Sequence, residues 1–331
     1  MSMTPALQPI PIDVLAPSED DKSARTRGPW ALVGRRLRGD KAALASVAFI
    51  ILLFLFAAAA PLFESWTNHP KNTSNPAGSD SLTLLPVGPL GGCAGVSDVG
   101  KEACFIFGAS NVSGYDMLVQ LSYGARTSLF IGVVSTAITV VVALLMGLLA
   151  GYSGGLTDGV ISRLMDVVAA FPFLLFAIAV STVFRSNVWT VIFVIAAFSW
   201  FYPARLFRAE VLSLREREFV SAARTIGAST PRILRKHIFP HLVGATVVYA
   251  SLSIAGAILF EAALSYLGFG LPADIPSWGR MISQAVPGGL YRNAPYLMVF
   301  PGTLLVLTAL AFNMLGDGLR DALDPKGNVH R

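Results

Sequence analysis

The chain has 331 residues, 54% of them apolar and 14% charged, with a mean hydropathy of +0.62 and a formal net charge of +5. A soluble core cannot bury so much apolar surface, so this is the composition of a polytopic membrane protein. The basic residues gather at the edges of apolar segments, which argues against a nucleic-acid surface as the meaning of the positive charge.

Residues 1–28 are rich in Pro, Ser and charge, lack the apolar run of a cleavable signal, and are expected to be a disordered tail. Residues 29–41 set Trp30, Leu32, Val33 and Leu37 among Arg35, Arg36, Arg38 and Lys41. They read as an interfacial amphipathic helix; a plain stop of positive charge ahead of a span accounts for the same residues. Six segments then have the length and apolarity to cross a bilayer: 42–63, 127–151, 160–184, 188–206, 242–262 and 294–315. Helices are expected, because each spanning segment must satisfy its own backbone hydrogen bonds. The predicted fold class is therefore an all-α membrane protein with six transmembrane helices.

Charge sets the expected orientation. With the N-terminus inside, 19 of the 25 Lys and Arg fall on inside segments, leaving Lys71, Lys101, Arg126, Arg185, Arg280 and Arg292 outside. Both termini are then cytoplasmic. Residues 64–126 form a long external loop rich in Pro, Gly, Ser and Asn, with irregular structure expected. The two cysteines, Cys93 and Cys104, lie in it; in an oxidising exterior they form a disulfide, with two free thiols as the alternative.

Within the spans, Asp166 and Glu261 are the notable acids. A charge at mid-bilayer costs about 2.5–3.5 kcal/mol on insertion scales, so both should face protein or water. Asp166 can pair with Arg163 one turn back, and Glu261 either lines an outer gate or caps local structure. Pro172 falls inside the third span. Gly132, Gly147, Gly151 and Gly256 are expected to be points of close helix approach.

The polar loop 216–241 is patterned like folded structure. Residues 216–226 favour a helix with Phe219, Ala222, Ala223 and Ile226 on one face. Gly227 stands where a helix stops, and Ser229 or Thr230 can cap a second short helix with Pro231 at its first position. Arg232, Arg235, Lys236 and His237 give that helix a basic face, and Pro240 ends the turn and starts the next span. The remaining division is a core at 127–315 and a cytoplasmic tail at 316–331.

Glu218, Ser221-Ala222-Ala223, Gly227, Arg232, Ile238 and Pro240 resemble the EAA loop of binding-protein-dependent ABC importer permeases, with Ser221 in place of the family's Glu. Further matches are Gly124-Ala125-Arg126 with Ser128-Leu129, Asp166 with Phe171-Pro172, and Glu261 to Gly270. Pro276-Ser277-Trp278-Gly279 and Asn313 to Asp321 also match, which points to the dipeptide/oligopeptide/nickel branch and its C-type inner-membrane subunit. The family's Gly-Thr-Asp and Gly-Arg-Asp are degraded here to Gly108-Ala109-Ser110 and Gly114-Tyr115-Asp116.

The resemblance implies the type I ABC importer permease fold, with the loop 216–241 as a cytoplasmic coupling helix fitted into an ATPase groove. It also implies a bacterial inner membrane, a paralogous permease subunit, two ABC ATPase subunits and an external substrate-binding lipoprotein. The implied cargo is a di- or oligopeptide, with nickel chelates, glutathione or another small solute as alternatives. The sequence has no phosphate cradle of the Gly-x-x-x-x-Gly-Lys-Ser/Thr kind, no metal-spaced Cys/His cluster and no nucleophile motif. No catalysis and no cofactor are expected on this chain; ATP and Mg belong to the partner subunits. An ion-gradient-driven secondary transporter is the rival class, and no inverted repeat or chain of membrane acids supports it.

Overall fold

The computed structural model describes residues 34, 36–80, 85–91, 104–111, 113–184 and 187–323. Residues 29–33 and 35 of the predicted interfacial segment 29–41 lie outside these residues, as do residues 324–331 of the predicted tail and Cys93. Every long element described is a helix, and the β structure among the described residues consists of isolated bridges such as Ser79 with Pro86 and Ala109 with Asp116.

Helix α1 (Lys41–Ala58) starts at Asp40, whose carboxylate accepts the Ala42 and Ala43 N–H groups. It continues almost directly into α2 (Ala60–Thr67). Helix α3 (Met117–Ser153) begins ten residues before the span predicted at 127. At 37 residues it is about 55 Å long, well beyond a hydrocarbon layer of roughly 30 Å. Its early start follows from Asp116, which caps it by accepting Leu118 N–H at 2.8 Å and Val119 N–H at 3.3 Å.

The third predicted span is broken. Helices α4 (Gly155–Ala170) and α5 (Phe173–Val183) meet at 82°. The break sits at Phe171-Pro172: a proline disfavours helical geometry in the residue before it, and Phe171 is extended at φ −82°, ψ 128°. The fourth span is also bent, by 41°, between α6 (Val188–Ser199) and α7 (Phe201–Arg215). Helix α7 runs nine residues past the predicted end at 206, through charged sequence.

After the short helix α8 (Glu218–Thr225), α9 runs without interruption from Thr230 to Tyr266. The expected separate second helix of the loop is thus the first part of a long one. Pro240 does not end a turn there. Residues Leu234–Ile238 form a π turn, in which Phe239 N–H donates to the Leu234 carbonyl. The wider turn lets a proline, which lacks an N–H and crowds the carbonyl four residues back, sit inside the helix. Helices α10 (Trp278–Gln284), α11 (Leu290–Asn293) and α12 (Tyr296–Leu323) complete the chain. The residues 316–323, expected as tail, are the last turns of α12.

Helix α3 is the axis of the bundle, packed against α7, α9, α6 and α1, while α12 packs on α9 and α1. Glycine permits its closest approaches. A Cβ at Gly147 would lie 2.7 Å from the Cβ of Phe207, one at Gly151 2.7 Å from that of Val211, and one at Gly132 2.6 Å from Ile258. Gly256 has nothing within 4 Å of such an atom, so it is not a packing point as expected.

Candidate functional site

The loop 216–241 is a compact body with its own core. Val220 and Ala223 of α8 turn inward onto Ile233, Ile238 and Leu242 of α9 and Val211 and Leu214 of α7. Leu144, Leu148 and Tyr152 of α3 complete the cluster. Gly227 holds the turn between α8 and α9 at φ +80°, a conformation that glycine adopts without strain. Ser229 is the N-cap of the next helix but makes no side-chain cap bond, and Pro231 stands in its first turn.

This geometry divides the predicted site residues. Glu218, Ser221, Ala222, Gly227, Arg232 and Pro240 are exposed, whereas Ala223 is 4% and Ile238 0% exposed. Ala223 therefore does not share an outward face with Phe219, Ala222 and Ile226, as the sequence suggested. It points inward because α8 presents two successive sides, Phe219, Ala222 and Ile226 to solvent and Val220 and Ala223 to the bundle. Ile226 is 84% exposed, an apolar side chain offered outward, and Arg232, Arg235 and Lys236 of α9 are exposed as well. Glu218 stands in the first turn of α8, where a negative charge suits the helix dipole.

Charged groups tie together the helices on which this body rests, and one of its own arginines reaches them. Arg208 of α7 makes a two-pronged contact with Asp158 of α4, with Nη2 donating to Oδ2 at 2.6 Å. Arg215, at the end of α7, donates to the Gly151 and Tyr152 carbonyls at 3.4 and 3.2 Å, where α3 ends. The Arg224 guanidinium stands 5.3 Å from the Tyr152 ring. Asp166 pairs with Arg205 at 2.7 Å rather than with Arg163. The reason is tertiary: α7 lies beside α4, so its arginines meet the acids of α4 across the helix pair. Sequence reasoning missed Asp158 and Arg208 because fifty residues separate them and only the fold brings them together.

At the opposite end, Glu261 is fully buried and neither lines an opening nor caps a helix. Its carboxyl group accepts from Ser128 of α3 at 2.9 Å and from Ser265 at 2.7 Å, with Ser277 as a third partner. Ser277 caps α10, and the next residue, Trp278, is fully buried with Nε1 donating to the Leu121 carbonyl at 3.2 Å. A Cβ at Gly279 would lie 2.4 Å from Ala262, so α10 sits hard against α9. At the next residue, burial holds the Arg280 guanidinium below the usual arginine range, with Asp274 opposing the shift, and its Nη1 donates to the Leu271 carbonyl.

The loop before α3 is anchored here too. His69 Nδ1 is 2.7 Å from Asp116, both buried, and the Tyr296 hydroxyl donates to the Val87 and Ala109 carbonyls at 2.9 and 3.1 Å. Asp116 thus keeps a structural role although the motif around it is degraded. Cys104 is disulfide-bonded.

A bundle of long apolar helices, two of its spans bent, carrying a folded polar body at one end, defines the class: a helical membrane protein. Residues 143–328 match the family described as binding-protein-dependent transport system inner membrane component, and residues 28–84 match the N-terminal TM domain of oligopeptide transport permease C. The oligopeptide transport system permease protein OppC of Haemophilus influenzae is 34% identical over 315 residues, covering 95% of this chain and 94% of that one. The dipeptide transport system permease protein DppC of Alkalihalophilus pseudofirmus is 35% identical, covering 94% and 93%. The fold is also that of a chain of the MetNI methionine ABC transporter in an inward-facing conformation (TM-score 0.52, 18% identity, covering 63% of this chain and 98% of that one). The chain belongs to the binding-protein-dependent transport system inner membrane component family and is a permease subunit of an ABC importer, not an enzyme.

Proposed function

We propose that this permease forms half of a pore for di- or oligopeptides and that the loop 216–241 couples it to ATP hydrolysis on separate subunits. The cargo reading is supported by the oligopeptide and dipeptide permeases to which the chain is similar from end to end. The observation that carries the coupling reading is the construction of the loop: an exposed face of Phe219, Ala222 and Ile226 on a body packed against α3 and α7. A push on that face is passed to both helices at once, and to α4 through the Arg208–Asp158 pair on α7. Glu218, Ser221, Ala222, Gly227 and Arg232 meet the ATPase, while Ala223 and Ile238 brace the body from inside.

The partners are a related permease, two ATPase subunits holding ATP and Mg, and an external substrate-binding lipoprotein. Both termini and the loop are cytoplasmic, by the distribution of Lys and Arg. Cys93 and Cys104 close the external loop as a disulfide. In proteoliposomes containing the assembled subunits, uptake of a radiolabelled peptide should require ATP and the binding lipoprotein. Uptake driven by an ion gradient without ATP would overturn the reading.

A further inference from the structure

At the end of the bundle away from the loop 216–241, the surface between the first and third helices opens into a groove of about 510 Å³. Phe54, Ala57 and Pro61 line one side, Phe130 and Val133 of α3 the other, and Arg126 stands at its outer end. Arg126 is exposed. Among the described residues no carboxylate lies within ion-pair distance of it. Glu64 of α2 is already engaged by the Tyr123 hydroxyl and the Lys71 backbone N–H. The Lys71 ammonium, 4.7 Å from the Tyr123 ring, adds a second cation on this side.

The depth of the site follows from helix geometry. Arg126 is about 40 Å along α3 from its end at Ser153. That exceeds the roughly 30 Å hydrocarbon layer, so the guanidinium stands at headgroup level. Two exposed tryptophans mark the same level. Trp66 follows Pro61 by little more than a helical turn, and Trp189 packs edge-on against Phe130 at 6.0 Å. A fixed cation above an apolar trough is the complement of a phosphate carrying an acyl chain, and a guanidinium holds phosphate oxygens two at a time.

We propose that this groove binds one phospholipid, its phosphate on Arg126 and one acyl chain between the first and third helices. The site lies in the leaflet opposite the loop 216–241. The test uses the complete transporter in dodecyl maltoside, a detergent without phosphate, with traces of a phosphatidylglycerol carrying a photoactivatable acyl chain. Wild type should be labelled within 54–61 and 126–133, at least tenfold more than Arg126→Gln, with Arg126→Lys retaining most of the labelling. Ala58→Trp, at an exposed position lining the same trough, should fill it and abolish labelling with Arg126 in place. A photoactivatable diacylglycerol, which lacks the phosphate, should label wild type no better than phosphatidylglycerol labels Arg126→Gln. Equal labelling by the two lipids, or unchanged labelling in Ala58→Trp, would reduce the groove to ordinary hydrocarbon contact and overturn the proposal. So would a photocrosslinker placed at position 126 that captures the partner permease in native membranes and no lipid. Should Arg126→Gln fail to assemble, the diacylglycerol and Ala58→Trp comparisons still decide.

Discussion

The two ends of the bundle are held together by different means. At the end bearing the loop 216–241, charged pairs at partly exposed positions do the fastening: Arg208 with Asp158 and Arg205 with Asp166, the latter side chains 47% and 56% exposed. At the other end, the polar groups are sealed: Glu261 among three serines, His69 on Asp116, and Trp278 on the Leu121 carbonyl. Exposed pairs contribute little net stability and exchange readily with water, whereas a buried group that loses its partner costs its full desolvation. The first end can be rearranged cheaply, and the second cannot. That is the asymmetry expected of a permease driven from one side.

The largest effect should come from Gly227→Val. No atom lies within 4 Å of a Cβ built there, so the substitution clashes with nothing and acts only through its left-handed backbone. The protein should insert in the membrane, lose ATP-driven uptake and retain its ATPase subunits poorly on purification. Normal uptake with the ATPases attached would show that the loop does not couple. At the sealed end, Gly279→Val should act through packing instead, because its Cβ meets Ala262 backbone. Overpacking of this kind costs about 1–3 kcal/mol, so detergent-solubilised protein should melt earlier while any folded fraction still binds its ATPases.

A smaller effect separates the charged end from mere decoration. Asp158→Arg should weaken uptake, and the exchange Asp158→Arg with Arg208→Asp should restore part of it; a double-mutant cycle for groups in contact is expected to show about 0.5–3 kcal/mol of coupling. Strict additivity would mean that the pair carries no load. Smallest is a split between neighbours on α8. Ala223→Leu should lower thermal stability, because Ala223 is inside the cluster. Ala222→Leu should leave stability unchanged and weaken ATPase retention alone. The reverse pattern would show that α8 is turned the other way when assembled.

Much of this was legible in the chain. The apolar segments found their helices because composition alone places about 20 residues in a bilayer. Gly227 was legible because few residues other than glycine end a helix in that way, and Gly132, Gly147 and Gly151 fell at real approaches. Helix ends were not. Helix α7 was predicted to stop at charged sequence, yet Arg208 and Arg215 continue it because their charges are met by Asp158 and by the carbonyls of α3. The start of α3 was hidden in a polar loop, although Asp116 caps it. Asp166 was given the partner one turn away in sequence; the fold gave it one on another helix. Glu261 looked like a gate or a cap because its three serines come from three segments of the chain.

The π turn at Leu234–Ile238 has a mechanical consequence. By carrying the helix through Pro240 instead of ending it, the turn makes Thr230–Tyr266 a single continuous helix of about 55 Å. Ile233 and Ile238 are seated in the apolar cluster of the loop 216–241, and Glu261 and Ser265 ride near the other tip, with Glu261 held to Ser277 ahead of Trp278. Such a rod is a lever. A tilt of about 5° over that length displaces its far tip by roughly 5 Å, close to one helical turn. On the coupling reading proposed above, a stroke received by the loop 216–241 would be carried along this helix toward the sealed end, where the buried Glu261 carboxyl group ties it to Ser128 and Ser277.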